Sequence, residues 1–191
     1  MSTKFQPNSP KIRIALSGAA GTGKTSLVEA LEARGYGVFH EYSRQLIQES
    51  LAKGSDVLPW DNLDAFTEAV LAMRWKHYLA AVEHNSVVFY DRSPMDALAY
   101  YGPDPSRWQS DWMAVCERSE YSCVFITPPW RDIYTLDQER WETFEHVEEV
   151  HAHLVATYRY FGYEPVLVPF GTLEERVHFI ESHLALQSIL V

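Results

Sequence analysis

Apolar residues along this chain fall into two kinds of block, short continuous runs and longer stretches with helical spacing. The short runs are Ile12-Arg13-Ile14-Ala15-Leu16, Gly37-Val38-Phe39-His40-Glu41, Ser86 to Asp91, Cys123-Val124-Phe125-Ile126 and Glu164 to Val168. Runs of this length, bounded by turn residues, read as buried strands. Between them lie segments with helix start and stop signals. The first helix is predicted from Lys24 to about Arg34, stopping at Gly35, and the second from Ser43, a good N-cap, to Lys53 before Gly54. Asp56 to Asp61 reads as a loop. From Asn62 to about His84, the positions Phe66, Val70, Met73, His77, Leu79 and Val82 approximate helical spacing and predict one long amphipathic helix. Pro94 to Tyr101 and Ser106 to Glu117 read as two helices separated by Gly102-Pro103-Asp104-Pro105. Further helices are predicted from about Trp141 to Phe161 and from Leu173 to about Ala185. Strands that are continuous apolar runs, each followed by helix, predict an α/β fold whose parallel sheet is covered on both faces. No internal repeat or low-complexity linker interrupts the pattern.

Composition narrows the picture. The length of 191 residues suits one domain, expected over 11–191 behind a polar tail at 1–10. No apolar run approaches the roughly 18 residues of a membrane span, and Met1 to Pro10 lack the apolar stretch of a secretory signal, so a cytoplasmic location is expected. The net charge of -10 repels polyanions, which argues against a nucleic acid or an anionic membrane as partner and for a small substrate. Cys116 and Cys123 have no metal-ligand spacing and read as reduced buried thiols.

The segment Gly18-Ala19-Ala20-Gly21-Thr22-Gly23-Lys24-Thr25 fits G-x-x-x-x-G-K-[ST] in full, between a predicted strand and a predicted helix. The chemistry explains the pattern. Glycines let successive backbone N–H groups turn inward around phosphate oxygens, and the helix N-terminus adds its dipole. Lys24 is expected to reach the β- and γ-phosphates and the Thr25 hydroxyl to ligate Mg²⁺, with Ser26 completing the nucleotide-binding stretch. MgATP is the expected ligand, and no Asn-Lys-x-Asp guanine-reading motif is present, although GTP stays open.

Asp91 closes an apolar strand, which in a parallel sheet puts an acid at the carboxyl edge beside the P-loop, where it can partner Mg²⁺. The alternative is an Asp that caps the helix beginning near Pro94. Arg92 follows where a hydrolytic motor commonly carries Glu. An Arg there can hold an acceptor or a phosphate but cannot act as a base, which favours transfer to a bound molecule. Glu41, at the end of the second strand, is the candidate general base, with Arg44 as a substrate anchor and Asp96 as a further substrate contact. The alternative for Glu41 is an exposed carboxylate at a helix start, and the base would then be sought at Asp91 or Asp96. Arg131, Asp137 and Arg140 lie in a polar connection, expected as a lid near 129–142 in which Arg131 meets the nucleotide and Arg140 the transferring group. The competing reading is a solvated charged loop.

Other features carry less. His146, His151 and His153 share a predicted helix, but their spacing cannot give the i, i+4 pair of a zinc helix. The aromatic fraction of 14%, with six Trp, can supply a stacking wall for a planar substrate, and the sequence does not select which residues form it.

With these residues in view, the chain resembles a P-loop AAA-type ATPase/kinase family. That family includes the ribosylnicotinamide kinase domain of the bacterial NAD-biosynthesis regulator and a GTP- and phosphoinositide-binding trafficking protein. The resemblance runs from Lys11 to about His183. Beyond the P-loop it rests on His40-Glu41-Tyr42-Ser43-Arg44, on Asp91 to Tyr100, on Asp137-Gln138-Glu139-Arg140, on Tyr158 to Tyr163 and on Gly171 to Val177. It covers the kinase half of the regulator. It implies a three-layer fold of nucleoside/nucleotide kinase type, with five parallel strands in the order 2-3-1-4-5 and a small lid. The implied activity is transfer of the γ-phosphoryl group of ATP to a small, nucleoside-like acceptor. Two alternatives stay open, a slowly hydrolysing nucleotide-dependent switch and a protein that binds MgATP without turnover. Oligomeric state is open.

Overall fold

A computed structural model describes residues 12–80, 87–134 and 143–186. Five strands form one parallel sheet: β1 (Ile12–Gly18), β2 (Gly37–Phe39), β3 (Val87–Asp91), β4 (Cys123–Thr127) and β5 (Val166–Leu167). Their spatial order is β2-β3-β1-β4-β5, the order the resemblance implied. Leu16 stands opposite both Asp91 and Phe125, and Gly18 opposite Thr127. This register brings the carboxyl ends of the three central strands to one edge of the sheet, where ligands of open α/β folds bind.

The helices are α1 (Lys24–Ala33), α2 (Ser43–Lys53), α3 (Leu63–Leu79), α4 (Pro94–Tyr101), α5 (Ser110–Arg118), α6 (Phe144–Tyr160) and α7 (Leu173–Leu186). Side chains of a strand alternate between faces, so each central strand feeds two cores. Ile14, Leu16, Phe89 and Phe125 pack with Leu27 and Leu31 of α1 and with Ile180 and Leu184 of α7. Ala15, Val88, Val124 and Ile126 face the other core, which contains Val70 of α3, Leu98 of α4, Cys116 of α5 and Leu154 of α6. Full burial of one such side chain contributes about 1.5–3 kcal/mol, so α1 and α7 are firmly seated on one face.

Several expected elements differ in extent, among them the fifth strand, which covers only Val166–Leu167 of the run expected from Glu164 to Val168. The helix expected to run to about His84 ends at Leu79, with Ala80 in extended backbone; 81–86 lie outside the described residues. Its buried stripe is Thr67, Val70, Leu71, Arg74 and Tyr78, and Leu79 already faces solvent. Asn62 caps the start by accepting from the Ala65 N–H at 3.2 Å. The helix expected over Ser106–Glu117 is a short 3-10 turn at Pro105–Arg107 followed by α5. Asp104 caps that turn, and the Trp108 indole N–H donates to the Gly102 carbonyl at 2.9 Å, which pulls the chain out of helix before α5 begins. The second strand stops at Phe39 because its ladder to β3 ends at the Phe39–Tyr90 pair. Glu41 therefore lies in the β2–α2 connection. No helix among the described residues is long and apolar enough to cross a membrane.

Candidate functional site

The loop between β1 and α1 wraps a concave turn at the sheet edge. Gly23 is the N-cap of α1, with φ 77° and ψ 17°, a left-handed conformation that costs a β-carbon-bearing residue strain. A Cβ there would also sit 2.7 Å from the Arg176 Nη1 atom. At Gly18 a Cβ would overlap the Thr127 hydroxyl at the end of β4. Thr22 braces the loop by donating to the Ala19 carbonyl at 2.9 Å and sharing a hydrogen bond with Thr127 at 2.7 Å. From α7, Arg176 donates through Nη2 to the Thr22 carbonyl at 3.1 Å.

Two ion pairs, one buried and one partly buried, stand beside this loop. Lys24 pairs with Asp91, and both side chains are almost wholly covered. Burial first, and then the charge of Arg92, pull the Lys24 pKa down, against the opposing pull of Asp91. The second pair joins the Arg92 Nε to Glu41 at 2.8 Å. Burial pushes the Glu41 carboxyl upward, but the charges of Arg92, Lys24 and Arg74 outweigh it and hold the pKa down at about 2. Glu41 is thus ionised at any ordinary pH.

Arg92 has an unusual backbone. Its φ of 73° is positive, and a non-glycine residue in that region stores strain that its surroundings must hold. Those surroundings are dense. The Arg92 N–H donates to the Leu16 carbonyl at 3.0 Å, and the guanidinium lies 5.0 Å from the Tyr100 ring centroid. Its Nη1 also approaches Asp96 at 3.4 Å. Asp96 is fully buried and accepts from the Ser17 hydroxyl at 2.5 Å, the Tyr158 hydroxyl at 2.6 Å and the Ser93 N–H at 2.9 Å. Ser93 caps α4 reciprocally with Asp96, so Asp91 is not the cap of that helix. The Ser93 carbonyl accepts from Arg74 of α3 at 2.9 Å.

A cavity of about 650 Å³ opens between the loop and these pairs. Residues 19–26 line it together with Glu41, Arg44, Arg74 and Arg92, and the remaining wall is largely apolar and aromatic, including Trp60, Phe66, Tyr100 and Tyr101. A pocket of this size with a few convergent polar groups is the expected form of a small-molecule site. Not every residue singled out from sequence lines it. Gly18 and Asp91 lie behind the loop and Lys24. Asp96, expected to touch substrate, does not line the cavity; it is fully buried with its oxygens accepting from Ser17, Tyr158 and Ser93, and it pairs with Arg92. Arg131 is in a 3-10 turn at the start of the expected lid, exposed, with its guanidinium 4.0 Å over the Phe144 ring. Arg140 and Asp137 lie outside the described residues. No group of three His, Cys, Asp or Glu suited to a metal ion occurs among the described residues. Both cysteines are buried and burial raises their pKa, that of Cys123 to about 11.

The model of an AAA domain family matches residues 13–176, from the first strand to the arginine that touches the P-loop. The chain belongs to that family. No curated protein sequence matches this AAA-domain chain. Among solved structures it is similar to the NadR protein in complex with NAD and AMP-PNP, with TM-score 0.69 and 19% identity over 95% of this chain and 51% of that one. NadR in complex with NR gives TM-score 0.70 and 20% identity, over 95% of this chain and 53% of the other. The chain thus spans about half the length of the NadR chains. Deoxyadenosine kinase from M. mycoides with bound dATP gives TM-score 0.60 and 15% identity, over 91% of this chain and 99% of that one. At these identities the likeness is one of fold.

Sequence reasoning did not single out Arg74, Tyr158, Thr127 or Ser17 as parts of the site. Arg74 had a readable signal, since it sits at i+4 from Val70 on the stripe of α3 that turns inward. The others are brought in from 62 to 110 residues away along the chain.

Proposed function

We propose that this protein is an ATP-dependent phosphotransferase that moves the γ-phosphoryl group of MgATP to a hydroxyl of a nucleoside-like acceptor. The observation that carries the reading is the shared cavity. Glu41 and Arg92 face the P-loop across a space whose other wall is aromatic, so donor phosphate, base and planar acceptor can meet in one place.

In this reading the amides of residues 19–25 cradle the phosphates, and Lys24 exchanges its partner Asp91 for the β- and γ-oxygens. The residues present fit a bound Mg²⁺, which needs few protein ligands when phosphate oxygens and water supply the rest. Thr25 lines the cavity and Asp91 pairs with Lys24 just behind its wall, and these two would hold the ion. When bound, Mg²⁺ neutralises charge on the β- and γ-phosphates. Arg92 and Arg44 anchor the acceptor, while Trp60, Phe66, Tyr100 and Tyr101 offer faces for a planar ring. Arg131 and Arg140 belong to the expected lid. As the bond from the γ-phosphorus to the bridging oxygen breaks and the bond to the acceptor oxygen forms, the acceptor proton passes to Glu41. A carboxylate held at a pKa of about 2 is a weak base. It takes the proton late, as a loose phosphoryl-transfer transition state permits.

ATP as the nucleotide is supported by the AMP-PNP and dATP bound in the two similar folds. The test is ADP release from MgATP with and without a panel of nucleosides, nucleotides, sugars and vitamins. Release that depends on an acceptor supports the phosphotransferase. Slow release indifferent to every acceptor supports a nucleotide-dependent switch instead.

A further inference from the structure

One buried cation beside the P-loop has no counter-charge among the described residues. Arg176, in the first turn of α7, is only 4% exposed, and burial alone lowers its pKa. Its Nε is buried without a hydrogen-bond partner, and no carboxylate among the described residues pairs with it. Its guanidinium is held between the P-loop and the Trp130 ring, whose centroid is 5.6 Å away. Its hydrogen bond goes to a backbone carbonyl, that of Thr22. A desolvated arginine is costly unless paired, so a site that keeps one uncompensated is built to receive negative charge nearby.

The carbonyl it holds matters. In a trans peptide the C=O and the following N–H point in opposite directions, and no cis peptide occurs among the described residues. Arg176 draws the Thr22 carbonyl to the α7 side of the loop, so the Gly23 N–H of the same peptide points to the opposite side, where the cavity lies. The Gly23 carbonyl is already committed to the helix, accepting from the Leu27 N–H at 3.3 Å. With the Gly23 carbonyl committed, the Thr22–Gly23 peptide plane can still rotate. With glycine on one side of it, that rotation meets little steric resistance from the chain itself.

We infer that Arg176 is a positioning residue for polyphosphate binding: it fixes the Thr22–Gly23 peptide with the N–H aimed into the phosphate nest, and its charge is balanced by the bound phosphates. The inference rests on the P-loop as the phosphate site and not on any acceptor. It makes α7, which is otherwise a sheet-covering helix, part of the nucleotide site. The seating of α7 on the sheet through Val177, Ile180 and Leu184 gives the guanidinium a fixed base from which to hold the loop.

The experiment compares wild type, Arg176→Met, Arg176→Lys and Arg34→Ala by calorimetric titration with MgADP, and follows the Gly23 amide resonance during each titration. Arg34 ties α1 to α7 through Glu174 and Glu181 and does not line the cavity, so its removal loosens the same helix without touching the peptide. Loss of one charge-assisted contact is expected to weaken MgADP binding by Arg176→Met about ten- to hundredfold. Arg176→Lys should recover part of the affinity. The Gly23 amide should shift on binding in wild type and markedly less in Arg176→Met, while Arg34→Ala keeps both affinity and shift. Binding by Arg176→Met within twofold of wild type, or equal losses in Arg34→Ala, overturns the inference. A wild-type protein that does not bind MgADP at all instead overturns the P-loop reading beneath it.

Discussion

Replacing Asp96 by Asn keeps the shape of the side chain and removes its charge at the most enclosed polar point of the molecule. The carboxylate accepts from Ser17, Tyr158 and Ser93 at 2.5, 2.6 and 2.9 Å, and it faces the Arg92 guanidinium. In the variant, the amide NH₂ either meets the Ser93 N–H and Tyr158 O–H or turns toward Ser17 and Arg92, so donors oppose donors in both orientations. Hydrogen bonds to a charged group contribute about 1.5–3 kcal/mol each, and breaking a buried pair from one side typically costs about 3–5 kcal/mol. A loss of about 3–5 kcal/mol is expected, a large share of the roughly 5–15 kcal/mol that a domain commands. Tyr158→Phe removes a single donor and should cost about 1–2 kcal/mol, which keeps the test readable if Asp96→Asn is poorly folded. The assay is urea unfolding as a function of pH. Burial pushes the Asp96 pKa up, but the charges of Arg92 and Arg74 and the bonds from Ser17 and Tyr158 more than offset it, so the folded pKa is depressed. The stabilisation is therefore fully present above the unfolded pKa of about 3.9 and is lost as pH falls toward the folded value. The gap between wild type and Asp96→Asn should narrow only below about pH 4. A gap under about 1 kcal/mol at neutral pH, or one independent of acidification, refutes an ionised Asp96 holding Arg92.

The remaining expectations concern the cavity. Lys24→Ala should weaken MgATP binding by about 1.5–3 kcal/mol, read by calorimetry; unchanged affinity together with unchanged turnover contradicts the phosphate role. Glu41→Gln should leave MgATP affinity intact and slow single-turnover transfer by about 10²-fold, the low end for a general base, because the carboxyl is so weakly basic. With its pKa at about 2, Glu41 should contribute no acidic limb to kcat/KM near neutrality, and a limb near pH 5 that vanishes in Glu41→Gln contradicts that value. Trp60→Ala should raise the acceptor KM about three- to tenfold, the worth of one aromatic contact, without changing the KM for ATP. Equal effects on both would place Trp60 outside the acceptor wall.

What could be read from sequence follows the range of the interactions. The P-loop is legible because its glycines, lysine and threonine act within eight consecutive residues, and the turn needs those residue types wherever it occurs. The strand order is legible only through family resemblance, since apolar runs reveal parallel strands but not their neighbours. Glu41 and Arg92 could each be placed near the carboxyl edge of the sheet by the parallel-sheet rule, although Glu41 lies two residues beyond the end of its strand. That they bond to each other depends on β2 lying beside β3, and on a left-handed Arg92 backbone that no propensity announces. Asp96 illustrates the limit. An acid three residues after a Ser-Pro start reads equally as a substrate contact or a helix-capping group, and only Tyr158 and Ser17, from distant elements, show that it is sealed. Arg176 was visible in a motif, but its meaning depends on the packing that turns it toward Thr22.

If the cavity joins a phosphoryl donor to an acceptor, the label of γ-labelled ATP, followed through a single turnover with an acceptor drawn from the screen, reveals the transfer. Label should appear in the acceptor, at a rate that falls in Glu41→Gln while ATP binding persists. Label that appears only as inorganic phosphate, at the same rate with or without acceptor, would contradict transfer to an acceptor.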